Sequence, residues 1–206
     1  MPRERGHLRP GPDRFIVTFH PALPPPAPAA VVQGDRPLEV DLGCGRGRFL
    51  LARARAWPQR AFVGVDRMLP RLRKLDRKLA DQGLTNVRLI HGESAAAVAE
   101  ILPRQSVTVF YLLFPDPWPK RKHLRRRLVA APFVDHVWAA LAPGGQIHCA
   151  TDHLDYFDAI RKLLAADVRF EPVPPFMPTE EERTDFEVLF HQLNRPTHRC
   201  SYRKKP

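Results

Sequence analysis

From residue 38 onward, short apolar runs alternate with longer segments whose apolar residues recur with the helical period. LEVDL (38–42), AFVGV (61–65), NVRLI (86–90), SVTVFYLLF (106–114) and QIHCAT (146–151) have the length and the β-branched or aromatic content of buried strands. Between and after them lie RGRFLLARARAW (46–57), PRLRKLDRKLADQ (70–82), SAAAVAEIL (94–102), a stretch from about 123 to 141, and LDYFDAIRKLLAA (154–166), all with helical spacing. Pro70 stands in the first turn of one helix, Ser94 is placed to cap another, and Pro132 is a candidate break in a third. This alternation predicts an α/β fold with parallel strand pairing and helices on both faces of the sheet. PVPPFMPTEEERTDFEVLF (172–190) reads as a proline-rich loop entering a helix or strand, and THRCSYRKKP (197–206) as a last edge strand ending in cations.

Residues 1–37 break the pattern. PALPPPAPAA (21–30) predicts an extended, polyproline-like linker or surface strap, and FIVTF (15–19) a short apolar piece able to dock on the body. The chain thus divides into an irregular Pro-rich segment, 1–37, and one folded domain, 38–206.

Composition narrows the partners. A chain of 206 residues suits a single domain that buries about 70% of its unfolded surface. Thirty-three Lys and Arg against 22 Asp and Glu leave a net charge of +11, a field that attracts polyanions, above all nucleic acid. No run approaches the roughly 18 apolar residues of a membrane span, and MPRERGHLRPGPDR has no apolar core behind its basic residues, so neither a membrane anchor nor a signal peptide is expected. Cys44, Cys149 and Cys200 are odd in number and far apart. They offer no disulfide framework and no zinc pattern, His148 and His153 have no metal partner at useful spacing, and a reducing cytoplasm is the simplest compartment.

Sheets of this kind bind ligands at the carboxyl ends of their strands, and here those ends carry acids: Asp41, Asp66, Glu93, Asp116 and Asp152. DLGCGRG (41–47) joins the first strand of the domain to its first helix, with Gly43, Gly45 and Gly47 allowing a sharp turn and close backbone approach to a ligand. A dinucleotide fingerprint needs glycine at 48, where the chain has Arg48, and a phosphate loop needs a Lys-Ser/Thr pair that is missing. The spacing instead resembles the first motif of the class I S-adenosylmethionine methyltransferases. In that arrangement Asp66 accepts the ribose hydroxyls, Glu93 lies near the adenine, and Asp41 reaches the methionine ammonium directly or through water. An ordinary tight turn with surface acids is the alternative for these residues, and loop capping the alternative for Asp41.

FPDPWPKRKHLRRRL (114–128) sets an acid beside the densest positive charge in the chain. Asp116 follows the fourth strand and so faces the methyl-donor position, with a buried look between two prolines. Lys120, Arg121, Lys122, Arg125, Arg126 and Arg127 suit phosphates. Trp118 is either a packed turn residue or an aromatic that helps to unstack a base. Taken in order, GVD, FPDPWPK with the His and Arg that follow, ATD (150–152) and TDFE (184–187) resemble the bacterial tRNA (guanine-N7)-methyltransferases over about residues 38–190.

The resemblance implies a Rossmann-like class I methyltransferase fold, a doubly wound, seven-stranded, mostly parallel sheet with an antiparallel C-terminal strand. It implies transfer of a methyl group from S-adenosylmethionine to N7 of a guanine in the tRNA variable loop. It places Asp41, Gly43, Gly45, Asp66, Glu93 and Asp116 at the cofactor, with Asp116 also catalytic, and Lys120, His123, Arg126, Asp152, Thr184, Asp185, Phe186 and Glu187 at the substrate. Partners are then tRNA, with no membrane and no metal, in a monomer or a homodimer. Helix capping is an alternative role for Asp152, and Thr184 and Glu187 have capping-box spacing. The chain departs from the family where Val188 and Leu189 replace a frequent Arg-Gly pair, where Asp41 stands for a frequent Glu, and at Pro119. A methyltransferase acting on adenine N6, or a non-catalytic RNA-binding protein, are the alternatives.

Overall fold

Strands β2 (Leu38–Leu42) and β3 (Ala61–Asp66) are buried at every position. Such strands can exist only at the centre of a sheet covered on both faces. They lie parallel, Val40 beside Val63, and are flanked by β4 (Val87–His91) and β5 (Val107–Leu113). The computed structural model describes residues 13–19, 26, 31 and 34–206; the polyproline-like stretch at 21–30, Pro26 apart, lies outside the described residues.

Period-two alternation sends the strand side chains into two layers. Phe62 and Leu89 meet Leu50 of α1 (Arg48–Ala56) and Leu72 and Leu75 of α2 (Leu69–Asp81). On the opposite face, Val40, Val63, Phe110 and Leu112 meet Val137 of α4 (Ala131–Ala140) and Ile160 of α5 (Leu154–Ala166). α3 (Ser94–Ala96), prolonged by a π turn over Ala97–Ile101, completes that second layer.

The sheet order is β1-β4-β3-β2-β5-β6-β8-β7, which corrects the expected strand count from seven to eight. The added strand, β1 (Ile16–Thr18), comes from the N-terminal stretch read as irregular and pairs parallel to β4, Ile16 beside Leu89. Three residues are too few for alternation to show in the sequence. β1 is held because Asp76 of α2 accepts the Phe15 N–H at 2.8 Å and the Phe15 carbonyl accepts the Leu89 N–H at 2.8 Å.

Other elements differ from expectation for physical reasons. β8 (His198–Lys204) is not an edge strand; it runs antiparallel between β6 (Leu141–Thr151) and β7 (Phe170–Val173). The edge is β7, whose Pro172 is tolerated there because one side of an edge strand needs no ladder donor. The helix expected over about 123–141 is a 3₁₀ turn, Arg121–Arg126, and then α4, with Pro132 opening the helix instead of breaking it. Glu93, not Ser94, occupies the N-cap of α3. Segment 172–190 ends in helix α6 (Asp185–Gln192).

Charge is buried at the centre of this sheet. Glu39 of β2 is wholly excluded from solvent and accepts from Arg53 Nη2 at 2.9 Å, from Tyr111 Oη at 2.9 Å and from Arg60. Arg53 extends to Glu182 at 3.0 Å, tying α1 to the segment that leads into α6. Glu39→Ala leaves Arg53 with Glu182 alone and the buried Tyr111 hydroxyl without its acceptor, and is expected to destabilise the fold by about 3–5 kcal/mol. Urea unfolding checks this, and a loss below about 1 kcal/mol would show that Arg53 finds water instead.

Candidate active site

Strand order reverses beside β2: the chain builds β3 and β4 on one side of it and β5 and β6 on the other. At such a switch point, the loops leaving the carboxyl ends of β2 and β5 diverge and open a crevice. The loop after β2 holds the glycines; the loop after β5 holds Asp116.

The glycine loop is rigid by its own hydrogen bonds. Val65 O accepts from Gly43 N at 2.8 Å and Cys44 N at 2.9 Å, and Cys44 O accepts from Gly47 N at 2.9 Å. Asp66, at the end of β3, accepts the Gly45 N–H on Oδ2 at 3.0 Å and the Met68 N–H on Oδ1 at 2.7 Å. With these amides tied back onto β3, the loop is no phosphate cradle. Gly47 holds φ 76 and packs where a Cβ would lie 2.3 Å from Leu75 Cδ1, so that position admits only glycine. Gly43 (φ 86) has nothing within 4 Å of its absent Cβ, leaving bare backbone open to a ligand.

The acids around this loop differ in environment. Asp41 is 4% exposed; burial first, and the neighbouring Asp66 carboxylate second, push its pKa up to about 7. A buried carboxylate next to another is relieved by a cation arriving between them. Glu93 is exposed at the N-cap of α3, beyond β4, and Gly92 N donates to Asp66 O at 3.1 Å, which holds the loops after β3 and β4 together.

Asp116 is not buried, contrary to its look in the sequence. Its side chain is 67% exposed and pairs at 3.5 Å with Arg67, the residue after Asp66. This contact joins the loop after β3 to the loop after β5. Phe114 (φ 55) and Trp118 (φ 40) on either side hold left-handed backbone that bulky residues rarely adopt, so the segment is bent sharply around the acid. Beyond it Lys120, Arg121, Lys122, Arg125 and Arg126 are exposed. The Arg126 guanidinium lies 4.9 Å over the Trp118 ring, and the His123 ring is 5.7 Å from it. Arg127 leaves the cationic set: it pairs with Asp155 at 2.5 Å and donates to Pro117 O at 2.8 Å.

The remaining residues sit across β6 and α6. Asp152 follows β6 and lies 3.7 Å from Arg195. Thr184 and Glu187 form the capping box: Thr184 Oγ1 accepts from Glu187 N at 3.0 Å and Glu187 Oε2 from Thr184 N at 3.3 Å. Glu187 is buried and also pairs with Arg199, facing a groove of about 450 Å³ with His191 and Arg195. Helical rotation carries Asp185 elsewhere, to a groove of about 530 Å³ with Arg46, Arg48 and Lys78, and leaves Phe186 in solvent. The four residues of TDFE therefore do not face one site. Arg67, Arg195 and Arg199 were not singled out from the sequence; only Arg67, adjacent to Asp66, had a local signal. Among the described residues no cluster of His, Cys, Asp or Glu could hold a metal, and no helix is long and apolar enough to cross a membrane.

Comparisons with known proteins fit this geometry. Residues 35–200 match a family model described as "Putative methyltransferase". Structures superposing on the chain include the 16S rRNA methyltransferase KamB, at TM-score 0.62 and 19% identity over 82% of this chain and 88% of that one. A Streptococcus mutans methyltransferase solved with SAH superposes at TM-score 0.51 and 13% identity, over 82% and 88%. The fold is the Rossmann-like class I methyltransferase fold. The Nitrosococcus oceani tRNA (guanine-N(7)-)-methyltransferase is 38% identical over 161 residues, covering 78% of this chain and 67% of the relative. The Halorhodospira halophila tRNA (guanine-N(7)-)-methyltransferase is 32% identical over 218 residues, covering 99% and 94%. With likeness of that extent, and with the glycine loop and strand-end acids in place, the chain belongs to the tRNA (guanine-N(7)-)-methyltransferase family.

Proposed function

We propose that this protein methylates N7 of a guanine in the variable loop of tRNA, with S-adenosylmethionine as donor. One juxtaposition carries the proposal: Asp116, in the loop after β5, lies 3.5 Å from Arg67, the neighbour of the Asp66 that holds the glycine loop, and leads directly into an exposed turn of cations. An acid for a base and cations for phosphates are then set side by side.

The donor fits the residues that would hold it. It carries no phosphate, in keeping with a loop whose amides are already satisfied, and it supplies an electrophilic methyl group on a cationic sulfur. Asp41 would take the ammonium of its amino-acid tail, Asp66 the ribose hydroxyls with the lone pairs left by Gly45 and Met68, and Glu93 the adenine side. Gly43 and Gly45 would admit it close to the backbone.

Guanine N7 has an in-plane lone pair and no proton to lose, so no strong general base is needed. The residues have to orient the base for in-line attack, and most of the rate gain comes from that positioning. Asp116 would accept from guanine N–H donors and offset the positive charge that grows on the ring. Lys120, His123 and Arg126 would hold the RNA backbone, and Asp152 would contact the base from the end of β6. Thr184 and Glu187 would act chiefly by building α6, which presents Asp185 and Phe186 to solvent in different directions.

Three outcomes are expected. Labelled S-adenosylmethionine and unmodified tRNA should give incorporation with borohydride and aniline cleavage in the variable loop, and Asp116→Ala should lower kcat/KM by about 100-fold or more with an unchanged unfolding curve. Incorporation without cleavage would instead mean another base or atom, as the adenine alternative requires. Lys120→Ala with Arg126→Ala should weaken tRNA binding and flatten the slope of log affinity against log salt by about two; an unchanged slope removes these residues from the phosphate contacts.

The third concerns Asp41. Its folded pKa is raised to about 7 from 3.8, so its contribution to stability is present in the acid range and is lost as pH rises through that window. An ammonium partner needs the carboxylate, so donor binding should release a proton at about pH 6 and tighten as pH rises towards 7. Calorimetry in two buffers of different ionisation enthalpy measures the release, and Asp41→Asn should abolish it. Buffer-independent heats in the unsubstituted protein would mean that Asp41 meets no cation.

A further inference from the structure

An aromatic side chain held in water calls for an explanation. Phe186, in the first turn of α6, is 56% exposed. It is not isolated. Its ring stacks on Phe190, with centroids 5.9 Å apart and planes at 26°. Phe190 is buried and lies 5.5 Å from Phe114, which is itself 6.3 Å from Phe186. Phe114 stands two residues before Asp116 and holds φ 55, so the chain accepts a costly backbone conformation at the residue whose ring backs this cluster. The three rings therefore form one cluster, each within 6.3 Å of the other two, that joins the segment bearing Asp116 to the exposed ring on α6.

The charges around the cluster are equally specific. The Arg195 guanidinium lies 5.6 Å over the Phe190 ring and reaches Asp152 at 3.7 Å, so one half-exposed cation borders both the aromatic cluster and the end of β6. Core packing accounts for Phe190 and Phe114 but leaves Phe186 more than half exposed. A face that presents a π surface to solvent, flanked by a cation and continuous with the chain that carries Asp116, matches a nucleobase and its phosphate.

We propose that Phe186, backed by Phe190 and Phe114, is the stacking platform for an unstacked base of the RNA at the mouth of the methyl-transfer site, with Arg195 beside it for the adjoining phosphate. This rests on the function proposed above and adds to it the means by which a base lifted out of its stack is compensated. Bringing a guanine N7 in line with a donor held inside the protein means lifting the base from its stack, and that costs a few kcal/mol per base. A preformed aromatic face returns part of that cost without reading sequence.

The test uses the full chain and an unmodified tRNA. Leucine at 186 keeps the apolar area and removes the π face; tryptophan enlarges it. Phe186→Leu should reduce kcat/KM for tRNA and raise the tRNA Kd by roughly tenfold or more, in line with the loss of one base–aromatic stack. Phe186→Trp should stay within about threefold of the unsubstituted protein in both. Both variants should keep the original salt slope, because stacking releases no counterions, and both should keep the donor affinity and Tm. Unchanged tRNA affinity in Phe186→Leu, or a loss that tryptophan does not restore, overturns the platform. So does a change in oligomeric state at constant RNA affinity, which would make the face a protein contact. If the unsubstituted protein methylates tRNA but ignores Phe186, only the platform falls. If it forms no 7-methylguanosine yet its tRNA Kd depends on Phe186, the proposed reaction falls and the platform stands.

Discussion

Glu39 sits in a central strand with none of its surface in water, and a carboxylate there is tolerable only because Arg53, Arg60 and Tyr111 converge on it. Desolvating such charges costs several kcal/mol each unless geometry returns it. The network therefore admits one arrangement of α1 over β2 and β5. It reaches further, since Arg53 also holds Glu182, and the Glu182 carboxylate accepts from Thr179 N at 3.0 Å. Thr184, the cap of α6, follows two residues later. A charge at the middle of the sheet thus sets where α6 starts, and with it which way Phe186 and Glu187 face.

The molecule separates its charges by burial. Its net charge is +11, yet Asp41 and Asp66, at the carboxyl ends of central strands, are buried. Asp41 is desolvated beside Asp66, and both effects raise its pKa to about 7. The cations lie outside, on the exposed turn after Asp116 and on α1, where water screens them until a polyanion arrives. Burial does not set Asp116 apart from the basic run beside it; its ion pair does. Asp116 pairs with Arg67 after β3, while Lys120, Arg121, Lys122, Arg125 and Arg126 are exposed.

Helix α6 shows how one short motif can serve several ends. Thr184 and Glu187 spend their hydrogen bonds on the cap, and Arg199 of β8 neutralises Glu187. The two residues between them are thereby turned outward in different directions. A capping role and a place near the substrate are compatible here, because the cap orients what the helix presents.

The strands β2 to β5, the C-terminal half of β6, and helices α1, α2 and α5 were legible in the chain, because burial on two faces leaves continuous apolar runs and burial on one leaves a helical period. The glycine loop was legible too: positive φ and the contact of Gly47 with Leu75 leave the sequence no other residue. Edge strands β1 and β7 were not, since three or four residues with one partner leave no pattern, and their place depends on Asp76 and on β8. The basic run carried helical spacing but took a 3₁₀ turn, its side chains held by Trp118 and solvent instead of a packed face. Nor could local sequence show that Asp116 is exposed, that Arg127 is spent on Asp155, or that Arg67, Arg195 and Arg199 pair with acids. Residue types and their spacing determined which chemistry the chain carries; only the tertiary structure decided which charges meet, because those partners lie far apart along the chain and are joined by the folding of the sheet.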